Sequence, residues 1–307
     1  MITTVCMNPC FDKTAKINKM DIGNVNRLYD TREDIGGKGI NVATVLKRLG
    51  SEVNCVTCIG EQSERRFFEL IDSKKMTVHY LLVPGEVRTN LKIIDMQTKI
   101  TTEFNESGVS LDFEQKVHFK NLLKKHGEGS DFIVVSGKPP ANCEPDIYNS
   151  FIGLLPDKKW VFDISDKPLF NIIEVEPFLV KPNLPELETL LNVKLNSLDA
   201  IVKSAQVLIS KGVKNVIVSM GKEGAIYTNG YKSYFAKPIE VEVKSTVGAG
   251  DSLVAGVVRA LDCGLDFKEA MRYGVAAGAA NVMTEGTQLV DCTTFKSLLN
   301  KAEVHEI

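Results

Sequence analysis

Thr246-Val247-Gly248-Ala249-Gly250-Asp251-Ser252, followed from Leu253 by an apolar helical stretch, is the most informative run in this chain of 307 residues. Small residues ahead of a helix let the backbone turn sharply and aim several free N–H groups at one point, where the helix dipole also favours negative charge. The run therefore reads as an anion hole built from Gly248, Ala249 and Gly250. An aspartate in the same turn could take the proton of a hydroxyl attacking a phosphoryl group held there. Asp251 also has a plainer reading, as the cap of the helix that follows, and spacing alone leaves both open.

A second glycine turn, Gly36-Gly37-Lys38-Gly39-Ile40-Asn41-Val42-Ala43, likewise opens an amphipathic stretch. Bare backbone lets a ligand come close, Lys38 can meet a phosphate and Asn41 can bond hydroxyls. A tight turn with a solvated lysine is the alternative. Other phosphate-binding patterns fail. None of the Gly-Lys pairs at 37, 137 and 221 has the flanking Ser or Thr and upstream glycine of a P-loop, and Leu253 breaks the dinucleotide fingerprint after Gly250.

Around these turns, apolar runs that read as buried strands alternate with helical stretches. The strands are Ile2 to Met7, Val53 to Ile59, Phe132 to Ser136, Trp160 to Phe162, Phe178 to Val180 and Val216 to Ser219. The helices are Gly39 to Leu49, Glu64 to Lys75, Phe113 to Lys125, Leu198 to Lys211, Ser252 to Leu261 and Phe267 to Met283. This alternation predicts a mostly parallel sheet with helices on both faces, a three-layer α/β/α fold. Residues 12–34 and 88–104 instead alternate polar and apolar positions, and predict a small β-lid inserted into a large unit of 1–11, 35–87 and 105–307. No repeat, low-complexity tract or Pro-rich linker divides the chain further.

Hydrophobic residues make up 44% of the chain, charged residues 25%, and the formal net charge is −2, an ordinary globular balance with no basic face for nucleic acid or anionic lipid. Met1 to Cys6 runs straight into a strand without a signal-peptide pattern, and no stretch approaches a membrane span. Seven cysteines at irregular spacing suit a reducing compartment, so a cytoplasmic protein is expected. Cys55 and Cys58 stand three apart in a strand, on opposite faces, and are poorly placed to share a metal.

Taken together, five stretches in order resemble the ribokinase-like sugar kinases, specifically their phosphofructokinase B branch: Asn8-Pro9-Cys10-Phe11-Asp12, Gly36 to Ala43, Lys181-Pro182-Asn183-Leu184-Pro185-Glu186, Ser219-Met220-Gly221-Lys222-Glu223-Gly224-Ala225 and Thr246 to Ser252. The resemblance covers essentially the whole chain. It implies ATP as phosphoryl donor with Mg²⁺, a small sugar phosphate as acceptor, and Asp251 as general base. It further implies that Asp12 and Asn41 bond sugar hydroxyls, that Gly37 and Lys38 border the sugar phosphate, and that Arg88 grips the phosphate remote from the reacting hydroxyl. Arg27 is expected to add to that grip, from the lid of a second subunit. An alternating hairpin sheet must cover its apolar side, so a homodimer through the lid is expected. Asn183 and Glu186 would order water around Mg²⁺. Lys181, Ser219, Gly221, Gly224 and Thr246 would line the nucleotide, with Asn281 near the adenine.

Two departures bear on the sugar. Cys10-Phe11 stands where relatives have small or aliphatic residues, so Phe11 could reshape the sugar floor. Ser136-Gly137-Lys138-Pro139-Pro140 places Lys138 where a small residue is usual, adding a charge near the substrate. The strand from Arg88 to Ile93 and the later Asn105-Glu106-Ser107-Gly108 look most like members of the branch that phosphorylate fructose 1-phosphate, then those acting on tagatose 6-phosphate or fructose 6-phosphate. A catalytically silent sugar-phosphate sensor on the same fold is the reading from a different class.

Overall fold

The computed structural model describes residues 1–71, 76–144, 146–286 and 288–307. In chain order the strands are β1 (Ile2–Cys6), β2 (Cys10–Ile17), β3 (Tyr29–Gly36), β4 (Val53–Gly60), β5 (Thr77–Val83), β6 (Arg88–Asp95), β7 (Thr101–Asn105), β8 (Phe132–Ser136), β9 (Lys159–Asp163), β10 (Leu179–Val180), β11 (Val216–Ser219), β12 (Ala225–Thr228), β13 (Ser233–Ala236) and β14 (Val304–Glu306). The helices are α1 (Lys38–Arg48), α2 (Glu64–Leu70), α3 (Phe113–Gly127), α4 (Asn149–Ile152), α5 (Asp166–Ile172), α6 (Leu184–Leu191), α7 (Leu198–Ser210), α8 (Ala249–Asp262), α9 (Phe267–Val282) and α10 (Cys292–Leu299).

The large sheet runs β5-β4-β1-β8-β9-β10-β11-β12-β13-β14. Every pairing from β5 to β11 is parallel, and β12, β13 and β14 extend that edge antiparallel. Its central strands are apolar on both faces because helices cover both. In β8, Phe132 and Val134 face one layer while Ile133 and Val135 face the other. Helices α1, α8, α9 and α10 fill the first layer, and α3, α6 and α7 the second. Cys55 and Cys58 fall in different layers, as strand spacing requires.

Strand order reverses at β1, which lies between β4 and β8. An open α/β sheet binds its ligands outside the carboxyl ends of the strands at such a reversal, where the connections diverge and leave a crevice. Of the predicted site residues, Lys138 follows the carboxyl end of β8, Lys181, Asn183 and Glu186 that of β10, and Gly221 and Gly224 that of β11.

The second sheet has the order β3-β2-β6-β7. Its outer pairings are antiparallel, but β2 and β6 run parallel, with Cys10 opposite Arg88 and Asp12 opposite Asn90. The two excursions therefore form one sheet rather than two hairpins side by side. One side buries Ala15, Ile17 and Ile93, while Ile22, Val25, Leu28, Tyr29, Ile100 and Phe104 are exposed. Arg66 of α2 fastens the lid to the large unit: it forms two hydrogen bonds with Glu33 of β3, and its guanidinium lies 4.2 Å from the centre of the Phe11 ring.

Most predicted elements shift by a residue or two at their ends. The helix expected over Glu64 to Lys75 occupies Glu64–Leu70, with Ile71 already extended, and 72–75 lie outside the described residues. The helix expected from Ser252 begins three residues earlier, at Ala249. Phe11 does not form a sugar floor. It points to the opposite side of β2 from Asp12 and is fully buried under Arg66.

Candidate active site

Gly248 supplies the positive φ, 79°, that starts α8, and no side chain caps this end. Ala249 N bonds back to Thr246 O at 3.3 Å, and the first full helical bond is Ser252 N to Gly248 O at 2.9 Å. The amides of Gly250 and Asp251 thus lie in the open first turn. Asp251 is not the cap. Its side chain turns away from its own backbone and accepts a hydrogen bond of 2.8 Å from Asn41 Nδ2, on α1. The residue is 5% exposed. Burial, and then the negative charge of Asp163, push its pKa up to about 6, although Lys38, Asn41 and Lys181 partly offset the rise. Such a carboxylate is ionised at neutral pH yet basic enough to accept a proton.

Asp163, at the carboxyl end of β9, organises the positive charge. Lys181 Nζ lies 3.0 Å and Lys38 Nζ 3.7 Å from its Oδ1. Burial opposes ionisation of Asp163, but the two ammonium groups outweigh it and hold the carboxyl below the usual range. In return Asp163 raises the pKa of Lys38 against burial, helped by Asp251 and Glu186. Lys181 also abuts the glycine turn, since a Cβ on Gly250 would sit 3.6 Å from its Nζ. Lys38, expected beside the sugar phosphate, thus lies among the carboxylates around the anion hole. Asp163 was not singled out from the sequence. The acid that closes the apolar run Trp160-Val161-Phe162 was its one signal, at the sheet end where ligands bind.

The lid faces this group with a polar ladder. Asp12 Oδ1 accepts from Asn90 Nδ2 at 3.1 Å and pairs with Lys92 Nζ at 3.5 Å. Asn90 Oδ1 in turn accepts from Arg88 Nη1 at 3.1 Å. Gly36 is required here, because a Cβ on it would fall 2.3 Å from Asp12 Oδ2. Gly37 has φ 111° and leaves no room for a Cβ beside Cys6 Sγ, at 2.8 Å. Among the described residues, several buried polar atoms around the cleft have no hydrogen-bond partner: Asn41 Oδ1, Arg88 Nε, Ser136 Oγ and Asp163 Oδ2. Buried polar atoms are normally paired, so a cluster without partners beside an anion hole fits a polar ligand.

Asn183 and Glu186 cap α6 reciprocally: Asn183 Oδ1 accepts from Glu186 N at 2.9 Å, and Glu186 Oε2 from Asn183 N at 2.8 Å. Glu186 still faces the site closely enough to act on Lys38. Ser219 ends β11 beside Asn183. Gly221 has φ 58° and Gly224 φ 92°, and a Cβ on Gly224 would strike Ala236 O at 2.2 Å, so passing backbone demands that glycine. Asn281, 1% exposed, donates to Val247 O at 2.7 Å and accepts from Ser252 Oγ at 3.2 Å. It therefore braces the glycine turn from α9. Lys138 is exposed after β8, and Arg27 is exposed on the β2–β3 connection.

The profile of the pfkB family of carbohydrate kinases matches residues 5–293. The chain belongs to that family. Among the relatives of this pfkB kinase, 1-phosphofructokinase of Borreliella burgdorferi is 33% identical over 309 residues, covering 100% of this chain and 99% of the relative. Escherichia coli K12 1-phosphofructokinase is 30% identical over 308 residues, covering 99% and 97%. Among solved structures, phosphofructokinase-2 from Escherichia coli in complex with substrates and products has a TM-score of 0.92 at 25% identity, covering 98% of both chains. A possible 1-phosphofructokinase from Thermotoga maritima has 0.89 at 27%, covering 100% and 99%. The pfkB kinase is thus a phosphotransferase with an alcohol group as acceptor, on a ribokinase-like fold, and among the described residues no helix is long and apolar enough to cross a membrane.

Proposed function

We propose that this kinase phosphorylates the free primary hydroxyl of fructose 1-phosphate, giving fructose 1,6-bisphosphate, with ATP and Mg²⁺. The observation that carries the chemistry is Asp251, buried in the open first turn of α8, bonded to Asn41 and flanked by Lys38 and Lys181. The choice of sugar rests on full-length relatives named 1-phosphofructokinase at 28% to 33% identity.

The residues fit the nucleotide. Open amides at Gly250 and Asp251 and the Lys181 ammonium beside them suit a polyphosphate. When bound, ATP supplies the phosphoryl group and Mg²⁺ neutralises charge on its phosphates. Thr246, Ser219, Gly221 and Gly224 would hold the nucleotide, with Asn281 shaping the turn against it. Among the described residues no group of three or more His, Cys, Asp or Glu is placed to hold a metal directly. Asn183 and the Glu186 oxygen outside the capping box would therefore act on Mg²⁺ through water, the habit of a cation that dehydrates reluctantly. Asp251 accepts the hydroxyl proton, Asn41 keeps its carboxylate aimed, and Lys38 and Lys181 place positive charge where negative charge spreads. Asp12 takes sugar hydroxyls, Arg88 grips the remote phosphate, and the lid excludes water that would otherwise hydrolyse ATP.

A second copy would cover the exposed apolar residues of the lid and bring the neighbouring Arg27 toward the partner's cleft. Seven cysteines, all free, agree with a cytoplasmic location. Release of ADP measured with fructose 1-phosphate, tagatose 6-phosphate, fructose 6-phosphate and fructose tests the assignment. Faster release with any sugar other than the first overturns the substrate, and no release with any of them leaves the sensor.

A further inference from the structure

One charged side chain on the cleft side of the lid has no task in this scheme. Lys92 lies on β6 two positions beyond Asn90 and four beyond Arg88, so all three project from the same face of the strand. The residue is 6% exposed, an unusual place for an ammonium. Among the described residues its one ion pair is with Asp12 Oδ1, at 3.5 Å. Among the described residues Lys92 Nζ makes no hydrogen bond, and yet it is not one of the sealed, unpartnered polar atoms. Three N–H donors therefore meet the narrow opening beside Asp12. A buried ammonium with one long contact is held at a net cost until a further acceptor arrives.

Asp12 is arranged in a complementary way. Its Oδ1 is occupied by Asn90 Nδ2 at 3.1 Å and by Cys10 Sγ at 3.6 Å, in addition to Lys92. Its Oδ2 makes no hydrogen bond among the described residues, and the missing side chain of Gly36 keeps space beside it. One open carboxylate oxygen and one cationic donor thus stand side by side. Adjacent sugar hydroxyls need that combination: one donates its proton to the carboxylate, and the oxygen of its neighbour accepts from the ammonium.

We propose that Lys92 contacts substrate, gripping together with Asp12 two neighbouring hydroxyls of the ketose phosphate. The proposal rests on the reading of a ketose phosphate as acceptor and adds a residue that distinguishes a polyhydroxylated ligand from other anions. Its test is calorimetric titration of fructose 1-phosphate, tagatose 6-phosphate and fructose 6-phosphate into the wild type, Lys92→Met and Lys92→Arg, with KM for sugar and for ATP from ADP release. For the sugar that the wild type binds best, Lys92→Met is expected to weaken binding and raise sugar KM roughly 10- to 100-fold, the worth of one charge-assisted hydrogen bond. The KM for ATP should stay within about twofold, and Lys92→Arg should recover most of the loss because it keeps charged donors. A folded Lys92→Met protein with sugar affinity within about twofold of wild type overturns the proposal. So does a parallel rise in both KM values, the sign of a lysine that merely braces the lid. If Lys92→Met fails to fold, Lys92→Gln is read by the same criteria. Normal turnover of another ketose phosphate would sink the fructose 1-phosphate assignment while leaving Lys92 standing, whereas binding of none of the three sinks both.

Discussion

Burying Asp251 works against stability at neutral pH. Its carboxyl titrates at about 6 in the fold against an ordinary 3.8, so between those values the folded chain holds the proton more readily than the unfolded one. Its contribution to stability is therefore full below about 4 and is lost as pH rises through about 6. Asp251→Asn should raise the melting temperature at pH 7.5 while cutting ADP release roughly 10²- to 10⁴-fold. In the wild type, kcat/KM should fall as pH drops below about 6, because the protonated acid cannot accept the hydroxyl proton; a flat profile from pH 5 to 8 would remove Asp251 from the role. Asp163 has the opposite sign. Its lowered pKa stabilises the fold above the ordinary carboxylate range, and that contribution is lost only as pH falls through its folded pKa. Asp163→Asn leaves Lys181, 4% exposed, without its counter-charge, so urea unfolding should show a loss of roughly 3–5 kcal/mol together with lower turnover.

Helix α8 begins where it does because neighbouring elements hold its first turn. Asn281 ties Val247 and Ser252 to α9, so Asn281→Ala should lower stability by roughly 1–3 kcal/mol and raise the KM for ATP by loosening the turn. Thermal melts and ADP release read the two effects separately. Helices α1, α3, α7, α8 and α9 were legible within a few residues, because apolar period and terminal glycines are local signals. The two glycine turns were legible for the same reason. Strands β12, β13 and β14 went unread: each mixes apolar with polar residues over three or four positions, so no apolar run marks them as one marks β11. Asp163 and Lys92 went unread for another reason. Their importance lies in what faces them from Lys181 and Asp12, and such pairings carry no trace in the neighbouring sequence.

The lid links site and assembly. Exposed Ile22, Val25, Ile100 and Phe104 predict that gel filtration at micromolar concentration gives a dimer, and that Ile22→Asp with Val25→Asp shifts it toward monomer. A lid that stays monomeric in the wild type would leave Arg27 with no cleft to serve. The reversal of strand order at β1 has a further effect, felt in time. Ile2 is made long before Phe132, which lies on one of its two flanking strands. At ordinary translation rates that interval is roughly 6–25 s. Throughout it a five-residue apolar ribbon destined for the middle of the molecule can be shielded on one edge at most, which makes the newborn chain a natural client for chaperones before it is ever an enzyme.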